Sequence, residues 1–513
     1  MKRCLILILI FCLSCTLFTG CTDPEPYVPT GDALEYEDGS TGPVVTPTGE
    51  AEPQQLSLTY YPNVTLNPYT CTDFTNKVIL CLIYQGLFAT DRDYNPTPIL
   101  CKNFRVSDDL RIYTFYLEDA TFSDGSPLTP QDVVDSLLAA KTSERYSGRF
   151  YFMEEVTVAP DGGVTVRLSH PYENFPLLLD VPIIKSTQLE QEMPLGTGPY
   201  VFSQLGGSAS LRRRNNWWCN PDMVVTADTI ALIPAESINQ IRDNFQFGGL
   251  DVVCADPGSD RYADYRSDFE LWDCETGIFL YMVFSSYSDV FENNELQAAV
   301  TYAINRELLV SEYYRGFAQA ASLPASPNFP YYSQTLAKRY DYEPEKFAEA
   351  VQKANLGDTK VRILVNSKDS LRTRVAQDIC EMLEAGGMQT ELVAVSGDTY
   401  KYTLNAWDFD IYLGQTILSP NMDLSPYFFM YGTLKQGGTT DLAAYALCLQ
   451  ALENHGNYYT LHQDVMDRGL ICPILFRSYA VYATRGLVTD LTPARDNIFY
   501  YNLGKTMETA LLP

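Results

Sequence analysis

The sequence predicts an α/β fold divided into two or three domains. The chain has 513 residues, of which 46% are hydrophobic and 19% are charged, so it can bury a large core. Domains commonly have about 100–150 residues, so a chain of this length is expected to form more than one. Residues 361–365 form an apolar β-run, 370–385 an amphipathic helical pattern and 390–395 a second β-run. This strand–helix–strand order is typical of parallel pairing in α/β folds.

The first 21 residues predict export. Lys2 and Arg3 precede an apolar run over residues 5–18, which is shorter than the roughly 20 residues that a membrane-spanning helix needs. Residues 1–20 are therefore predicted to be a signal peptide. The end of this run resembles the lipobox of bacterial lipoproteins, although Phe18 stands where that motif prefers leucine. The resemblance implies lipid modification of Cys21 and attachment to the extracytoplasmic face of the cell membrane. The alternative is an ordinary secretory signal followed by a chance cysteine.

Residues 21–54 predict a lipidated, disordered tether. This segment is rich in Pro, Gly, Thr, Asp and Glu and has few large apolar side chains. Such a composition cannot bury enough surface to offset the entropy lost on ordering. The globular part of the chain is therefore expected to begin near residue 55.

The charge of the chain excludes some classes of partner. With 64 acidic and 36 basic residues, the formal net charge is −28. Nucleic-acid binding needs a basic surface, so no nucleic acid partner is expected. The charge also disfavours lying flat on an anionic membrane, and it weakly favours neutral or cationic ligands. The cysteines after residue 20 are scattered, without a Cys-x-x-Cys pair, and are interpreted mostly as small buried hydrophobes. The alternative is that one or two pairs of these cysteines form disulfide bridges.

Elements of the first half follow in order. Alternating apolar residues predict strands at 56–61 and 111–117, and apolar residues at helical spacing predict a helix at 75–87. Thr129 is predicted to cap a helix that has Pro130 at its first position and Asp132 at N3. Residues 160–163 predict a hairpin turn. Gly196 and Gly198 are expected to permit backbone geometry that bulky residues cannot adopt.

A series of short motifs spans nearly the whole chain after the tether. In order they are 66–68 (LNP), 84–87 (YQGL), 113–115 (YTF), 122–129 (FSDGSPLT) with 132–133 (DV), 196–200 (GTGPY), 215–218 (NNWW), 249–252 (GLDV) and 298–306 (AAVTYAINR). Their order and spacing resemble the extracellular solute-binding proteins of peptide and nickel ABC transporters, the oligopeptide-binding group known as solute-binding family 5. Most of these motifs are interpreted as scaffold rather than as ligand contacts.

The resemblance implies a two-lobed periplasmic-binding-protein-like fold of type II, with an extra subdomain in lobe one. Ligand would bind between the lobes, and a hinge motion would enclose it. Lobe one is expected at about 55–275 with a return at 480–513, and its subdomain at about 90–190. Lobe two is expected at 276–479.

The resemblance also implies where a ligand would lie. Relatives hold the peptide amine with an acidic residue in lobe two, just after a Gly-Trp-like pair. Here the equivalent stretch has Gln415 in place of the aromatic residue and has no acid at the expected position. Asp423 follows nearby and is the candidate replacement, with capping of a helix at 424–431 as the alternative. Asn421 in the same segment is also a candidate.

Four further candidates lie elsewhere in the chain. Asp73 and Phe74 follow the first strand and turn, where lobe one of the family meets ligand. Trp407 could stack on a ligand or belong to the core, and Tyr479 lies near the return crossing between lobes.

No pattern indicates an enzyme or a metal site. The three histidines are His170, His455 and His462, and the last two are seven residues apart, whereas a helical metal pair usually has a spacing of three or four. The chain has no Gly-x-Ser-x-Gly motif and no phosphate-binding loop motif. We therefore expect no catalysis, no metal and no cofactor.

The sequence as a whole favours a lipid-anchored substrate-binding protein of an ABC importer that captures peptides. As a monomer it would deliver its ligand to permease subunits in the membrane. The alternatives are the same fold binding an oligosaccharide or another small solute, and a surface sensor or adhesin lipoprotein without a role in transport.

Overall fold

A computed structural model describes residues 55–512, apart from 220–224, 260–263, 266–267, 293, 431, 433–439 and 489–490. The predicted signal peptide, Cys21 and the tether at 21–54 lie outside the described residues. Within the described ranges, no helix is both long and apolar enough to cross a membrane.

The strands are, in chain order, β1 (Gln55–Tyr60), β2 (Phe88–Thr90), β3 (Pro96–Pro98), β4 (Cys101–Val106), β5 (Ile112–Leu117), β6 (Met153–Val158), β7 (Val164–Leu168), β8 (Tyr200–Leu205), β9 (Ser208–Arg213), β10 (Thr229–Pro234), β11 (Val252–Ala255), β12 (Phe269–Phe284), β13 (Ala318–Ala320), β14 (Val361–Asn366), β15 (Thr390–Val395), β16 (Ile411–Ile417) and β17 (Cys472–Thr484).

The α-helices are α1 (Phe74–Ile83), α2 (Pro130–Thr142), α3 (Ile238–Gln246), α4 (Asn294–Ala299), α5 (Arg306–Tyr314), α6 (Gln334–Ala337), α7 (Pro344–Ala354), α8 (Ser370–Ala385), α9 (Gly397–Asn405), α10 (Ser425–Phe428), α11 (Leu442–Glu453), α12 (Tyr458–Asp467) and α13 (Met507–Ala510). Short 3-10 turns connect several of them.

One long mixed sheet runs through the molecule. Its strand order is β15-β14-β16-β12-β17-β11-β1-β10-β9-β8, and β13 adds to β17. A separate four-stranded antiparallel sheet has the order β4-β5-β7-β6, and β2 pairs with β3. The predicted strand–helix–strand unit is confirmed, because β14 and β15 pair in parallel on either side of α8.

The long strands β12 and β17 form the centre of this sheet. The first half of β12 pairs with the second half of β17, and the second half of β12 pairs with the start of β17. The register shifts between Glu275 and Phe279, so the hydrogen-bonded ladder is interrupted there. Such an irregularity allows a pair of strands to bend.

The buried residues separate into distinct cores along these strands. The largest contains mainly residues of 56–274 together with residues of 481–510. Two others contain mainly residues of 279–476. The main sheet therefore connects cores that are built from different parts of the chain. The boundaries given above for the lobes and the subdomain stay a prediction.

Local signals explain several elements. Thr129 caps α2 as predicted, since its hydroxyl accepts from the Asp132 amide and the Asp132 carboxylate accepts from the Thr129 amide at 2.9 Å. The predicted turn at 160–163 joins β6 and β7. Gly196 and Gly198 serve a different purpose from the one expected: a Cβ on either would lie within 2.6 Å of the Ile83 carbonyl oxygen. They allow close packing rather than an unusual backbone angle.

The first helix differs from the prediction at its end. It was expected over residues 75–87, but α1 ends at Ile83. Tyr84 has extended backbone angles, Gln85 forms a β-bridge with Ile183, and Gly86 packs against backbone carbonyls. Tertiary pairing thus replaces the last helical turn that the apolar pattern indicated. The helix predicted at 424–431 is likewise reduced to the single turn α10.

Candidate functional site

A cavity of about 200 Å³ lies beside the crossing strands. Its lining combines residues of both predicted lobes: Phe74, Lys77, Val78, Arg145, Gly148, Arg149, Cys254, Cys274, Asp496 and Ile498 from the first, and Ile278, Ile417, Leu418, Ser419, Asp423, Pro426 and Tyr479 from the second. A site that draws on both lobes is where a hinged binding protein would enclose a ligand.

Helix α1 supplies one part of the lining. The Asp73 carboxylate caps this helix by accepting from the Asn76 amide at 3.0 Å, which fixes where the helix begins. Phe74 and Lys77 are three residues apart and therefore share a helix face. The Phe74 ring packs on Tyr479 of β17, with ring centroids 4.0 Å apart. The helix cap thus places an aromatic pair and a lysine at the cavity.

The lobe-two part of the lining follows β16. Asp423 accepts from the Ser425 amide and from the Ser425 hydroxyl, both at 2.8 Å. Burial raises the pKa of the Asp423 carboxyl, while the two bonds from Ser425 and the nearby His170 oppose that shift. Asp423 therefore orders the first turn of α10, and a ligand cation beside it would favour its charged form.

A second cavity of about 110 Å³ adjoins the first. The two share Lys77, Arg145, Arg149 and Asp496 in their linings. Arg149 forms an ion pair with Asp180, which lines the second cavity only. Burial lowers the pKa of Lys77, and the charge of Arg145 lowers it further. The site therefore concentrates positive charge next to the apolar surface of Phe74 and Tyr479.

The predicted site residues fall into two groups. Phe74, Asp423 and Tyr479 lie together in the lining of the first cavity. The other four do not line it, and each has a contact of its own. Asp73 caps α1, as described above. Gln415 accepts from Arg477 at 3.0 Å.

The remaining two candidates are held by aromatic neighbours. Asn421 is buried; its side-chain amide donates to the Tyr172 hydroxyl, and its backbone carbonyl accepts from the Tyr458 hydroxyl at 2.6 Å. The Trp407 ring stacks on Tyr287, with centroids 5.0 Å apart and planes 10° apart. Whether these residues contact a ligand stays a prediction.

Sequence reasoning missed the basic residues of the site. Lys77 gave a usable signal, since it is the only charged residue in the apolar α1. Arg145 and Arg149 follow the end of α2, and Asp496 comes from the chain return some 350 residues later. No local pattern connects these segments, because only the tertiary fold brings them together.

Contacts outside the linings of these two cavities join the two predicted lobes. The Glu173 amide donates to the Leu452 carbonyl at 2.9 Å, and His170 Nε2 lies 2.9 Å from the Leu449 carbonyl. His455 Nδ1 lies 3.3 Å from the Glu173 carboxylate, and burial lowers the pKa of this imidazole. Two of the three histidines are thus used in contacts between segments far apart in sequence.

The site does not resemble a metal or thiolate centre. In the part of the chain that the structure describes, no group of three or more His, Cys, Asp and Glu residues is arranged to hold a metal ion. The Cys254 and Cys274 thiols line the first cavity, and both are free. Burial raises the pKa of each well above its ordinary value, so both are protonated at neutral pH.

The family profile described as "Bacterial extracellular solute-binding proteins, family 5 Middle" matches residues 95–440. The chain belongs to this family. Among curated relatives of this family-5 protein, the glutathione-binding protein GsiB of Salmonella typhi is 24% identical over 348 residues, which cover 64% of this chain and 67% of GsiB.

Solved structures of binding proteins share the fold of this family-5 chain. The ABC transporter substrate binding protein CtaP of Listeria monocytogenes superposes with a TM-score of 0.71 at 20% identity, covering 87% of this chain and 97% of CtaP. The oligopeptide-binding protein AppA of Bacillus subtilis, solved with a nonapeptide, superposes with a TM-score of 0.61 at 19% identity, covering 88% and 100%. The predicted two-lobed α/β fold is thereby confirmed, and these relatives are binding proteins rather than enzymes.

Proposed function

We propose that this family-5 protein captures short peptides between its lobes and delivers them to the permease of an ABC importer. The observation that carries the proposal is the charge arrangement of the cavity. Lys77 and Arg145 come from predicted lobe one, Asp423 comes from predicted lobe two, and Phe74 and Tyr479 supply apolar surface. A peptide has the complementary groups, because it carries an ammonium, a carboxylate and side chains.

The size of the cavity favours a short ligand. Ligand pockets commonly enclose about 300–1,000 Å³, and the cavity of about 200 Å³ lies below that range. Glutathione, named for GsiB, is a tripeptide, whereas AppA was solved with a nonapeptide. The volume supports a ligand nearer in size to the tripeptide than to the nonapeptide.

Calorimetry on the purified protein tests this proposal. We expect binding to members of a panel of di- to pentapeptides and no binding to a panel of oligosaccharides. Mass spectrometry should recover bound peptides unchanged, as transport without catalysis requires. Glycan binding without peptide binding would contradict the proposal, and so would cleavage of the peptides.

A pair of variants locates the binding site. Phe74→Ala removes the ring that packs on Tyr479 and should weaken peptide binding by about tenfold or more. Trp407→Ala is the matched control, because it removes an aromatic ring that does not line the cavity. Equal effects of the two substitutions would place the site elsewhere.

We also propose that the protein is a monomer attached to the extracytoplasmic face of the cell membrane by a lipid on Cys21. Metabolic labelling with an alkyne fatty acid should mark the wild type and leave Cys21→Ala unlabelled. Labelling of the variant would contradict the anchor. Light scattering of the protein released from the membrane should give the mass of a single chain.

A further inference from the structure

A polar contact joins the predicted lobes at a place away from the crossing strands. The segment that follows β7, in predicted lobe one, contacts the junction between α11 and α12, in predicted lobe two. The Glu173 amide donates to the Leu452 carbonyl at 2.9 Å, and the Glu173 carboxylate accepts from the His455 amide at 3.0 Å. His170 Nε2 lies 2.9 Å from the Leu449 carbonyl. We call this contact the lobe latch.

The lobe latch satisfies the end of helix α11. The last four carbonyl groups of an α-helix have no partner within the helix, and Leu452 is the residue before the last in α11. The Glu173 amide therefore supplies a donor that the helix lacks. The partial negative charge at a helix C-terminus also favours a donor such as His170 Nε2. These bonds exist only while the two lobes are in contact.

His455 is the buried titratable group of the lobe latch. Its Nδ1 lies 2.8 Å from the Tyr331 hydroxyl, and the rings of Tyr331 and Tyr458 flank the imidazole at centroid distances of 4.5 and 5.9 Å. The His455 side chain is 11% exposed, whereas that of Glu173 is 48% exposed, so water screens the attraction between them. Burial lowers the pKa of His455 from 6.5, and the Glu173 charge opposes only part of that shift.

The lobe latch is connected to the first cavity. Tyr172 lies between its two lobe-one residues in the chain, and the Tyr172 hydroxyl accepts from the Asn421 side-chain amide. The backbone carbonyl of Asn421 accepts from the Tyr458 hydroxyl, which ties the same residue to α12. Asp423, two residues further along, lines the cavity. Separation of the lobes at the latch therefore also breaks a bond to the segment that forms one wall of the cavity.

We propose that the lobe latch makes closure of the protein depend on pH: it holds the lobes together while His455 is neutral and opens when His455 takes up a proton. A proton on the buried imidazole is poorly solvated in the latch, whereas water solvates it once the lobes separate. The inference goes beyond the proposed function, because it adds a condition under which captured ligand is released.

The other titratable groups that face His455 do not reverse this direction. His170 carries a hydrogen on Nε2 in its charged form and in one neutral tautomer, so it can donate to the Leu449 carbonyl in either state. Tyr331 and Tyr458 stay neutral between pH 5.5 and 7.5, because burial raises the pKa of both phenols. Glu173 is the facing carboxylate, and its exposure limits what it can contribute.

The shift sets an upper limit on the effect. If His455 stays neutral in the latch and titrates near 6.5 in the separated lobes, separation becomes about tenfold more favourable between pH 7.5 and pH 5.5. Partial protonation within the latch reduces this factor, so we expect a change of about threefold to tenfold.

Hydrogen-exchange mass spectrometry of the ligand-free mature protein tests the proposal at the Glu173 amide, which donates across the latch. After correction for the intrinsic exchange rate, its protection should fall about threefold to tenfold between pH 7.5 and pH 5.5. His455→Gln keeps a donor toward Glu173 but cannot titrate, so its protection should stay constant. His462→Phe is the control, because it removes another buried histidine of α12 and should retain the change seen in wild type.

A second measurement extends the test to ligand. Calorimetry with a peptide that binds at pH 7.5 should show weaker binding at pH 5.5, and the loss should be about threefold to tenfold larger in wild type than in His455→Gln. Asp423 and other groups of the cavity titrate alike in both proteins, so the difference between them reports His455. Failure of every peptide to bind would refute the proposed function, while the exchange measurement would still decide on the latch.

Four exchange results would overturn the inference. Constant protection of the Glu173 amide in wild type would show that the latch does not respond to pH. Higher protection at pH 5.5 would show that a proton on His455 strengthens its contact with Glu173 instead. An unchanged pH response in His455→Gln, or its loss in His462→Phe, would place the responsible group elsewhere.

Discussion

His462 should make the stability of the protein depend on pH between neutral and mildly acidic conditions. Its side chain in α12 is fully buried, and neither ring nitrogen has a hydrogen-bond partner among the described residues. Burial lowers its pKa from 6.5 to about 3. In the unfolded chain the imidazole takes up a proton near pH 6.5, whereas in the folded protein it stays neutral. The folded state is therefore penalised as the pH falls below 6.5.

The magnitude follows from the size of this shift. Each unit of pKa difference corresponds to about 1.36 kcal/mol. Between pH 7.5 and pH 5 the difference in protonation amounts to roughly 1.5 units, so the penalty is about 2 kcal/mol. His462→Phe retains a ring beside Tyr458, whose centroid lies 5.7 Å away, and removes the titrating group. The stability of the variant relative to wild type should increase by that amount over this pH range.

Hydrogen-exchange mass spectrometry of the α12 amides measures this difference at each pH. Val465→Ala is the control: it removes part of a fully buried side chain in the same helix without changing a titrating group. Its loss of stability should be the same at pH 7.5 and pH 5. If the stability of His462→Phe also differed from wild type by the same amount at pH 7.5 and pH 5, protonation of His462 in the unfolded chain would not explain the pH dependence of stability.

Three further predictions concern the scaffold. Thr129→Ala removes the cap of α2 and should lower the free energy of unfolding by about 1 kcal/mol in urea denaturation; an unchanged midpoint would contradict the capping role. Gly198→Ala places a Cβ 2.6 Å from the Ile83 backbone and should lower the melting temperature by several degrees, whereas an unchanged value would show that the backbone can yield. Arg477→Met leaves the half-buried Asp256 carboxylate without the partner that it bonds at 2.5 and 2.7 Å, so it should lower the free energy of unfolding by about 1–3 kcal/mol. Adding Asp256→Asn should restore part of that loss. Additive losses in the double variant would argue against a coupled pair.

Sequence reasoning located those elements whose signals are local. The helix cap at Thr129 and the strand–helix–strand unit at 361–395 follow from residues close together in the chain, and the structure contains both. The end of α1 could not be predicted in this way, because Gln85 pairs with Ile183 and so leaves the helix. The pairing of two distant segments sets the end of this helix, and a local apolar pattern contains no information about such pairing.

The candidate site also combines residues that the sequence predicts with residues whose position only the tertiary fold determines. The resemblance to the family predicts Phe74, Asp423 and Tyr479 as site residues, and the fold brings them into one cavity. Trp407 is a candidate on similar grounds, yet its ring stacks on Tyr287. An aromatic residue has the same sequence signature whether it faces a cavity or another ring, so its environment could not be known before the tertiary structure.

The composition of the largest core determines the order in which the two halves of the protein can fold. That core needs residues of 481–510 as well as the segment beginning at Leu56, whereas the cores built from 279–476 come mainly from one continuous stretch. During synthesis, the continuous stretch is complete before the segment at 481–510 has been made. N-terminal parts usually fold first during translation. In this protein the half that is synthesised first must complete its folding last. Premature termination near residue 480 should therefore yield a chain whose later-made half is folded and whose earlier-made half is not.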